Sequence, residues 1–318
     1  MRALLALLAV FAMEAASAQA YPSRPIRLVV PFAPGGSADF VGRLIAQHMS
    51  DAWGQSVVVE NKPGASAMIG NEFVAKAPPD GYTLTVGTLG PFAVNQTLFD
   101  HVPYDNIRDF APVTLTGISS HILVAHPSVP VQNASELLAL AKAKPGQLTF
   151  ASSGTGNATH LTFELFKARA GIDIVHVPYK GGGPAMADLV GGQVLFSFAS
   201  MASAVPFVRS GRLRAIAVSG GERSALFPDV PTVAESGLPG FASEDWQGIL
   251  APAKTPQDTI MKLNAEIARI LAVPEVKAKL AAAGFDAKSS TPEWFGQFIQ
   301  AETLKWAKLL TGIGIKAQ

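Results

Sequence analysis

The sequence predicts an α/β protein of two tandem units, each built on a doubly wound, Rossmann-like sheet. Three observations carry this reading. Short apolar runs rich in β-branched residues alternate with segments of helical periodicity from Ile26 to about Ser219. The alternation restarts near His121, after a stretch rich in prolines. Beyond Thr255 it gives way to helices with little strand between them.

Residues 1–20, MRALLALLAVFAMEAASAQA, precede this pattern and have the make-up of a signal peptide. Arg2 supplies the basic start, Ala3 to Met13 the apolar stretch, and Ala16, Ala18 and Ala20 the small residues that permit cleavage after Ala18 or Ala20. The stretch is too short to span a bilayer convincingly. An exported chain of about 300 residues is expected, long enough for two domains.

The first unit opens with IRLVV, Ile26 to Val30, a buried strand. PFAPGGSADF follows, with Ser37 as the expected N-cap, Asp39 in the first turn, and Phe40, Val41, Leu44, Ile45 and Met49 at helical spacing. A strand, a glycine turn and a helix start leave backbone N–H groups unpartnered at the positive end of a helix dipole, a place that suits an anion. SVVVEN is the next strand. Ser66 is then expected to cap a helix that carries Met68, Ile69 and Phe73 inward and stops at Pro78, Pro79 and Gly81. YTLTVGT, Tyr82 to Thr88, completes a βαβαβ order that implies a parallel, right-handed sheet.

In the second unit Asn133 and Glu136 fit a capping box ahead of LLALAKAK, which stops at Pro145 and Gly146. QLTFASS is a strand, Ala158 to Arg169 a helix with Leu161, Leu165 and Phe166 on one face, and DIVHVPY a strand. A short helix from Pro184, the strand QVLFSF, a helix from Met201 and the strand LRAIAVS complete it. Residues 189–208 carry no charge, but glycines, serines and Pro206 interrupt the run, so a buried strand and helix accounts for it better than a membrane span. Two loops repeat the opening arrangement: ASSGTGNATHL, with Asn157 as N-cap, and PYKGGGPAM.

Three helices follow, from Thr255 and Pro256 to about Leu271, from Pro274 to Gly284, and from Thr291 and Pro292 to about Leu310. Lacking a sheet of their own, they should pack on the first unit. That return requires two crossings, near residues 120–125 and 244–250, and divides the chain into one domain of residues 21–122 and 248–318 and another of 123–247. Two crossings make a hinge.

Composition excludes several classes of function. Net charge is +1 with no basic block, which leaves no electrostatic footprint for nucleic acid. With no cysteine there is neither disulfide nor thiol chemistry. Neither SGTGNA nor KGGGPA completes a dinucleotide fingerprint, and no phosphate-binding P-loop, nucleophile elbow or H-E-x-x-H occurs. No cofactor and no metal are expected. Ser153 and His160 could serve a hydrolytic enzyme but have no evident third partner, and Lys180 reads better as a ligand-facing lysine than as a Schiff-base amine. What remains is a site rich in hydrogen-bond donors and poor in reactive groups, which suits binding. Charge-assisted hydrogen bonds contribute ~1.5–3 kcal/mol each. Three or four, less the cost of association, reach the ~8 kcal/mol of micromolar affinity without an arginine.

Across the mature chain a series of segments occurs in a telling order. It runs through YPSRPIRLVVPFAPGGSADFVGRLIAQHMS, VVVENKPGASAMIGNEFVAKAPPDGYTL, VPYDNIRDFAPVTLTG, KPGQLTFASSGTGNATHL, VPYKGGGPAMADLVGGQV and GRLRAIAVSGGERSALFPDVPTVAESGLPGF. In these the chain resembles the substrate-binding receptors of tripartite tricarboxylate transporters, the Bug receptors. The resemblance implies a periplasmic, monomeric two-domain Venus flytrap that closes on a small organic acid and delivers it to the membrane subunits of a tripartite tricarboxylate-type transporter. It implies that the loops from Phe32 to Asp39 and from Ser152 to Asn157 hold the ligand carboxylate, largely through backbone N–H groups and water. By position the ligand-binding residues are Phe32, Ala33, Pro34, Gly36, Ser37, Asp39, Ser153, Gly154, Thr155, Gly156, Asn157 and His160, with Thr88, Asn95, Tyr179 and Lys180 at the distal end.

The chain also departs from the family. Many members carry an acidic residue after the strand that here reads LFSFASMAS, whereas no acid lies between Asp188 and Glu222. An α-amino ligand would lack that partner, which favours a plain carboxylic or dicarboxylic acid. Phe198 and Met201 face either apolar ligand surface or the core, and TLGPFAVNQTLF replaces smaller, more polar residues near the distal contacts. Two other readings stay open: a hydrolase using Ser153 and His160, and a receptor that serves signalling rather than transport.

Overall fold

The computed structural model describes residues 21–313. The expected signal peptide lies outside them. Among the described residues, ten strands and ten α-helices form two α/β lobes joined by a shared strand. In lobe one, β1 (Ile26–Val30) lies between β2 (Val57–Asn61) and β3 (Thr83–Thr88), all parallel, with α1 (Ser37–Trp53) and α2 (Met68–Ala75) as the crossovers. In lobe two, β5 (Thr149–Ser152) lies between β6 (Val175–Pro178) and β7 (Phe196–Ser200), again parallel, with α5 (Ala158–Ala170) and α6 (Gly182–Val190) as the crossovers. A π-helical turn at Gly90–Val94 and α3 (Asn95–Leu98) follow β3, and α4 (Ala134–Ala143) precedes β5.

The parallel order expected from the βαβαβ pattern holds for these three-strand cores, and antiparallel strands extend each of them. β4 (Phe110–Ala125) runs through both lobes. Up to Ser120 it pairs antiparallel with β9 (Glu244–Pro252), and from His121 it pairs antiparallel with β7 and with β8 (Arg214–Val218). β9 in turn lies antiparallel to β3. The strand orders are therefore β2-β1-β3-β9-β4 and β6-β5-β7-β4-β8, the same plan used twice. The fourth place in each is filled by a strand arriving from the other lobe. Such a strand has no crossover helix to turn it, so the right-handed βαβ rule does not govern its direction. Pro112 stands where the β4–β9 register shifts, one of the few sites where a sheet tolerates a missing N–H. The boundaries expected at 122/123 and 247/248 fall inside β4 and β9.

Local signals account for most helix ends. Asn133 accepts from the Glu136 amide at 3.0 Å, and the Glu136 carboxylate reaches the Gln132 amide at 2.7 Å, a capping pair that starts α4. Two expected caps are corrected. Ser37 is the first helical residue of α1, behind extended Gly36, and Ala67 in the left-handed region precedes α2 where Ser66 was expected to cap it. Ile69 does not point inward: it is 53% exposed, because α2 is only two turns long and turns that side to solvent.

Each sheet is covered on both faces. In lobe one Val41, Ile45 and Met49 of α1 pack with Ile260, Leu263 and Ile267 of α8 (Gln257–Ala272), and α9 (Pro274–Ala282) adds Val276 and Leu280. The opposite face takes Phe295, Ile299 and Trp306 of α10 (Pro292–Ile313), so all three C-terminal helices return to lobe one, and the short β10 (Phe285–Ala287) adds an edge to β4. In lobe two Phe150, Phe163, Phe166, Phe198 and Phe241 form an aromatic cluster, and α7 (Met201–Arg209) covers the other face. Phe198 and Met201 are thus core residues, 0% and 1% exposed. No helix among the described residues is long and apolar enough to cross a membrane; residues 196–209 are β7 and α7.

Candidate ligand-binding site

Four helix N-termini from the two lobes converge on one cavity between them. α1 contributes Gly36, Ser37 and Ala38, α5 contributes Asn157, Ala158 and Thr159, α6 contributes Gly182, and α7 contributes Ser200 and Ser203. None of these starts has a side-chain cap. The amides of Ser37, Ala38, Ala158 and Thr159 have no protein partner among the described residues. No lysine or arginine among the described residues lines the cavity. Positive potential here comes from backbone dipoles, and the hydroxyls of Ser37 and Thr88 add adaptable donors.

The loop before α1 is held from behind. Asp39 is buried and accepts from the Gly35 amide at 3.1 Å, Arg43 Nε at 3.0 Å and Asn61 Nδ2 at 3.0 Å. Burial by itself would raise its pKa, but hydrogen bonds from Arg43, Asn61 and Gly35 outweigh that and hold the carboxyl below its usual range. Asn61 also donates to the Phe32 carbonyl at 3.0 Å, which ties β2 to the loop. Gln247 of β9 donates to Ser37 Oγ at 2.8 Å and so fixes that hydroxyl beside the cavity.

The second-lobe loop spends most of its own donors on itself. Ser153 N–H donates to Thr159 Oγ1 at 2.9 Å, Gly154 N–H to Ser152 Oγ at 3.1 Å, and Gly156 N–H to His160 Nδ1 at 3.1 Å. Asn157 Nδ2 closes the turn on the Ser153 carbonyl at 3.1 Å. Gly154 has φ +133°, and a Cβ there would lie 2.7 Å from Asn157 Nδ2, so only glycine fits. Ser152 Oγ lies 2.6 Å from His176 Nε2, and the His160 and His176 rings pack at 4.1 Å. Burial pushes His160 down to about 3 and His176 to about 4, with each other's charge and Lys167 adding to the effect on His160. Both rings are neutral at physiological pH, so the 3.9 Å approach of His160 to Glu164 is no ion pair. The Ser153 hydroxyl is paired with Thr159 at 2.9 Å and makes no hydrogen bond to His160, so the hydrolytic pairing is not assembled.

Across the cleft the lobes touch backbone to backbone. Ala33 N–H donates to the Lys180 carbonyl at 2.9 Å. A Cβ on Gly183 would lie 2.1 Å from the Pro34 carbonyl oxygen, so α6 approaches the first loop as closely as a glycine allows. Beside this seam lies a second space lined by Ala65, Ser66, Gly154, Thr155, Tyr179 and Lys180, among others.

Of the residues singled out by sequence, Phe32, Gly36, Ser37, Thr88, Ser153 and Asn157 line the main cavity. Phe32 and Ser153 also line the second space, with Gly154, Thr155, Tyr179 and Lys180. Tyr179 donates to Asp188 at 2.6 Å, and burial followed by that carboxylate pushes its pKa up to about 12. Ala33, Pro34, Asp39, Asn95, Gly156 and His160 line neither space. Asn95 donates to the Ser66 carbonyl at 3.1 Å and is fully buried.

Sequence reasoning missed His121 and Asp245, which both line the main cavity. His121 sits on β4 where the strand changes partners; it is 1% exposed, and burial pushes it down to about 4. Asp245 sits at the start of β9, 7% exposed. Nothing local marks either one, since only the shared strands bring them to the cleft. Asp245 brings a carboxylate to the cavity wall from β9, whereas the segment after β7 offers none.

The fold has close counterparts. Residues 41–315 match the family model described as the tripartite tricarboxylate transporter family receptor. The protein BugT of Bordetella pertussis is 39% identical over 322 residues, covering 99% of each chain. Rpa4515 of R. palustris, solved with adipate, superposes with a TM-score of 0.91 at 34% identity, covering 93% of this chain and 99% of its own. MatC from Rhodopseudomonas palustris, solved with bound malate, gives 0.87 at 35% identity, covering 91% and 100%. With a lobe plan used twice, a cleft of converging helix starts and a match across nearly the whole described chain, this protein belongs to the receptor family of the tripartite tricarboxylate transporters.

Proposed function

We propose that this receptor works in the periplasm, closes its lobes on a small organic carboxylate, and passes it to membrane subunits of a tripartite tricarboxylate-type transporter without chemical change. The observation that carries the reading is the convergence of unpartnered amides at α1 and α5 on a cavity without a cationic side chain. A carboxylate accepting three such bonds gains ~1.5–3 kcal/mol from each. Two solved relatives hold adipate and malate, both carboxylates. The hinge in this reading lies where β4 changes partners between Ser120 and His121 and where β9 begins at Glu244.

A thermal-shift screen of mono-, di- and tricarboxylates, aliphatic and aromatic, tests this. Saturable stabilisation by a carboxylate without turnover is the expected result. Gly36→Val and Gly154→Val should abolish it and leave the fold intact: the first inserts a side chain facing the Gly182 amide, 3.4 Å from its Cβ, and the second strains the φ +133° turn. Wild-type affinity in both variants, or Ser153-dependent hydrolysis of carboxylate esters, would overturn the reading.

A further inference from the structure

Asp245 is an unusual wall for an anion site. One of its oxygens accepts the Trp246 amide at 2.9 Å, and the nearby Leu89 amide favours its charged form as well. A carboxylate offers about four acceptor positions, so two amides leave capacity on the cavity side. No serine or threonine hydroxyl among the described residues reaches it, and no lysine or arginine lines the cavity. The titratable neighbours give no relief. His121 on the same wall is neutral, Glu302 of α10 adds negative charge, and Glu244 beside it on β9 is exposed. Burial pushes Asp245 up to about 7, the mark of a carboxylate without a cation. The chain of a plain acid alongside Asp245 would leave it unpaired and a second carboxylate would repel its ionised form, whereas an N–H or O–H of the ligand would complete it.

The geometry points to a ligand that carries a hydrogen-bond donor, a hydroxyl or an ammonium, in addition to its carboxylate, with Asp245 as the residue that accepts it and selects for it. This rests on the carboxylate reading above. It assigns the converging helix starts to the acid group and the start of β9 to the substituent. The two donors share one chemistry, and the side chain at 245 can tell them apart: an amide still accepts from a hydroxyl but does not balance an ammonium.

The test is calorimetric titration with matched sets of unsubstituted, hydroxy and amino acids: propionate, lactate and alanine; succinate, malate and aspartate; glutarate, 2-hydroxyglutarate and glutamate; phenylacetate, mandelate and phenylglycine. In the set that binds, the hydroxy or amino member should bind at least ~10-fold more tightly than the unsubstituted one. Asp245→Ala should remove that preference while the unsubstituted acid still binds. Asp245→Asn should keep it for a hydroxyl and lose it for an ammonium. Circular dichroism melts of both variants check folding, and the near-isosteric Asn variant carries the test if Ala unfolds. Equal or tighter binding of the unsubstituted acid in every set, or a preference that survives both substitutions, overturns the assignment to Asp245 and leaves the carboxylate reading standing. Failure of every acid to bind overturns both.

Discussion

The buried histidines hold the second-lobe loop in their neutral form. His160 accepts the Gly156 amide, His176 sits against Ser152, and His121 lines the cavity, with pKa values pushed by burial to about 3, 4 and 4. Each is lower in the fold than in the unfolded chain, where histidine titrates near ~6.5. Their contribution to stability is therefore fully present above about 6.5 and is lost as pH falls toward 4. Asp245 has the opposite sign: raised to about 7, it favours the fold below about 4 and loses that contribution as pH rises through 7. Three groups outweigh one, so stability should rise with pH between about 4 and 6.5. Urea midpoints across that range check this, and His176→Gln should flatten the slope.

At the scale of elements, the seam between α6 and the loop after β1 is made largely of backbone. The Ala33–Lys180 backbone bond and the approach of Gly183 to Pro34 require both loops to lie bare against each other. Gly183→Ala keeps good helix geometry in α6, so the separate lobes should fold as before. The added methyl group would meet the Pro34 carbonyl and hold the lobes apart. We expect ligand affinity to fall at least ~10-fold, or ~1.4 kcal/mol, with an unchanged urea midpoint for the free protein. An unchanged affinity in the same titration would show that this seam plays no part in closure.

For the whole molecule, the plan used twice explains how one chain forms a clamp. β4 and β9 each lend a strand across the boundary, so the lobes are linked by continuous backbone at the base of the cleft and meet through loops at its mouth. A ligand gripped by α1 from one lobe and α5 from the other stabilises only the closed arrangement. Small-angle scattering should then show a smaller radius of gyration on saturation with a binding acid, and the melting temperature should rise with its concentration. At 100 times Kd the added stability is ~2.7 kcal/mol. A ligand that raises the melting temperature without compaction would indicate binding within one lobe.

How much of this was legible in the sequence depends on the range of the interaction. The strand–helix alternation, the glycine loops after β1 and β5, the capping pair at Asn133 and Glu136, and the three late helices are written in neighbouring residues, because periodicity and turn chemistry are local. Ser37 and Ile69 were misjudged because a cap and an inward face depend on what a short helix meets. The course of β4 through Pro112, the antiparallel β9, the cavity start of α7, and the arrival of His121 and Asp245 were not legible. Each depends on partners more than a hundred residues away, such as Ser119 opposite Asp245 and Ser120 opposite Glu244. The sequence by itself determined two α/β units with anion-suited loops. Tertiary structure alone decided that their helix starts face one another, and that a buried carboxylate stands between them, because strand pairing across the lobes sets those distances and local propensity does not.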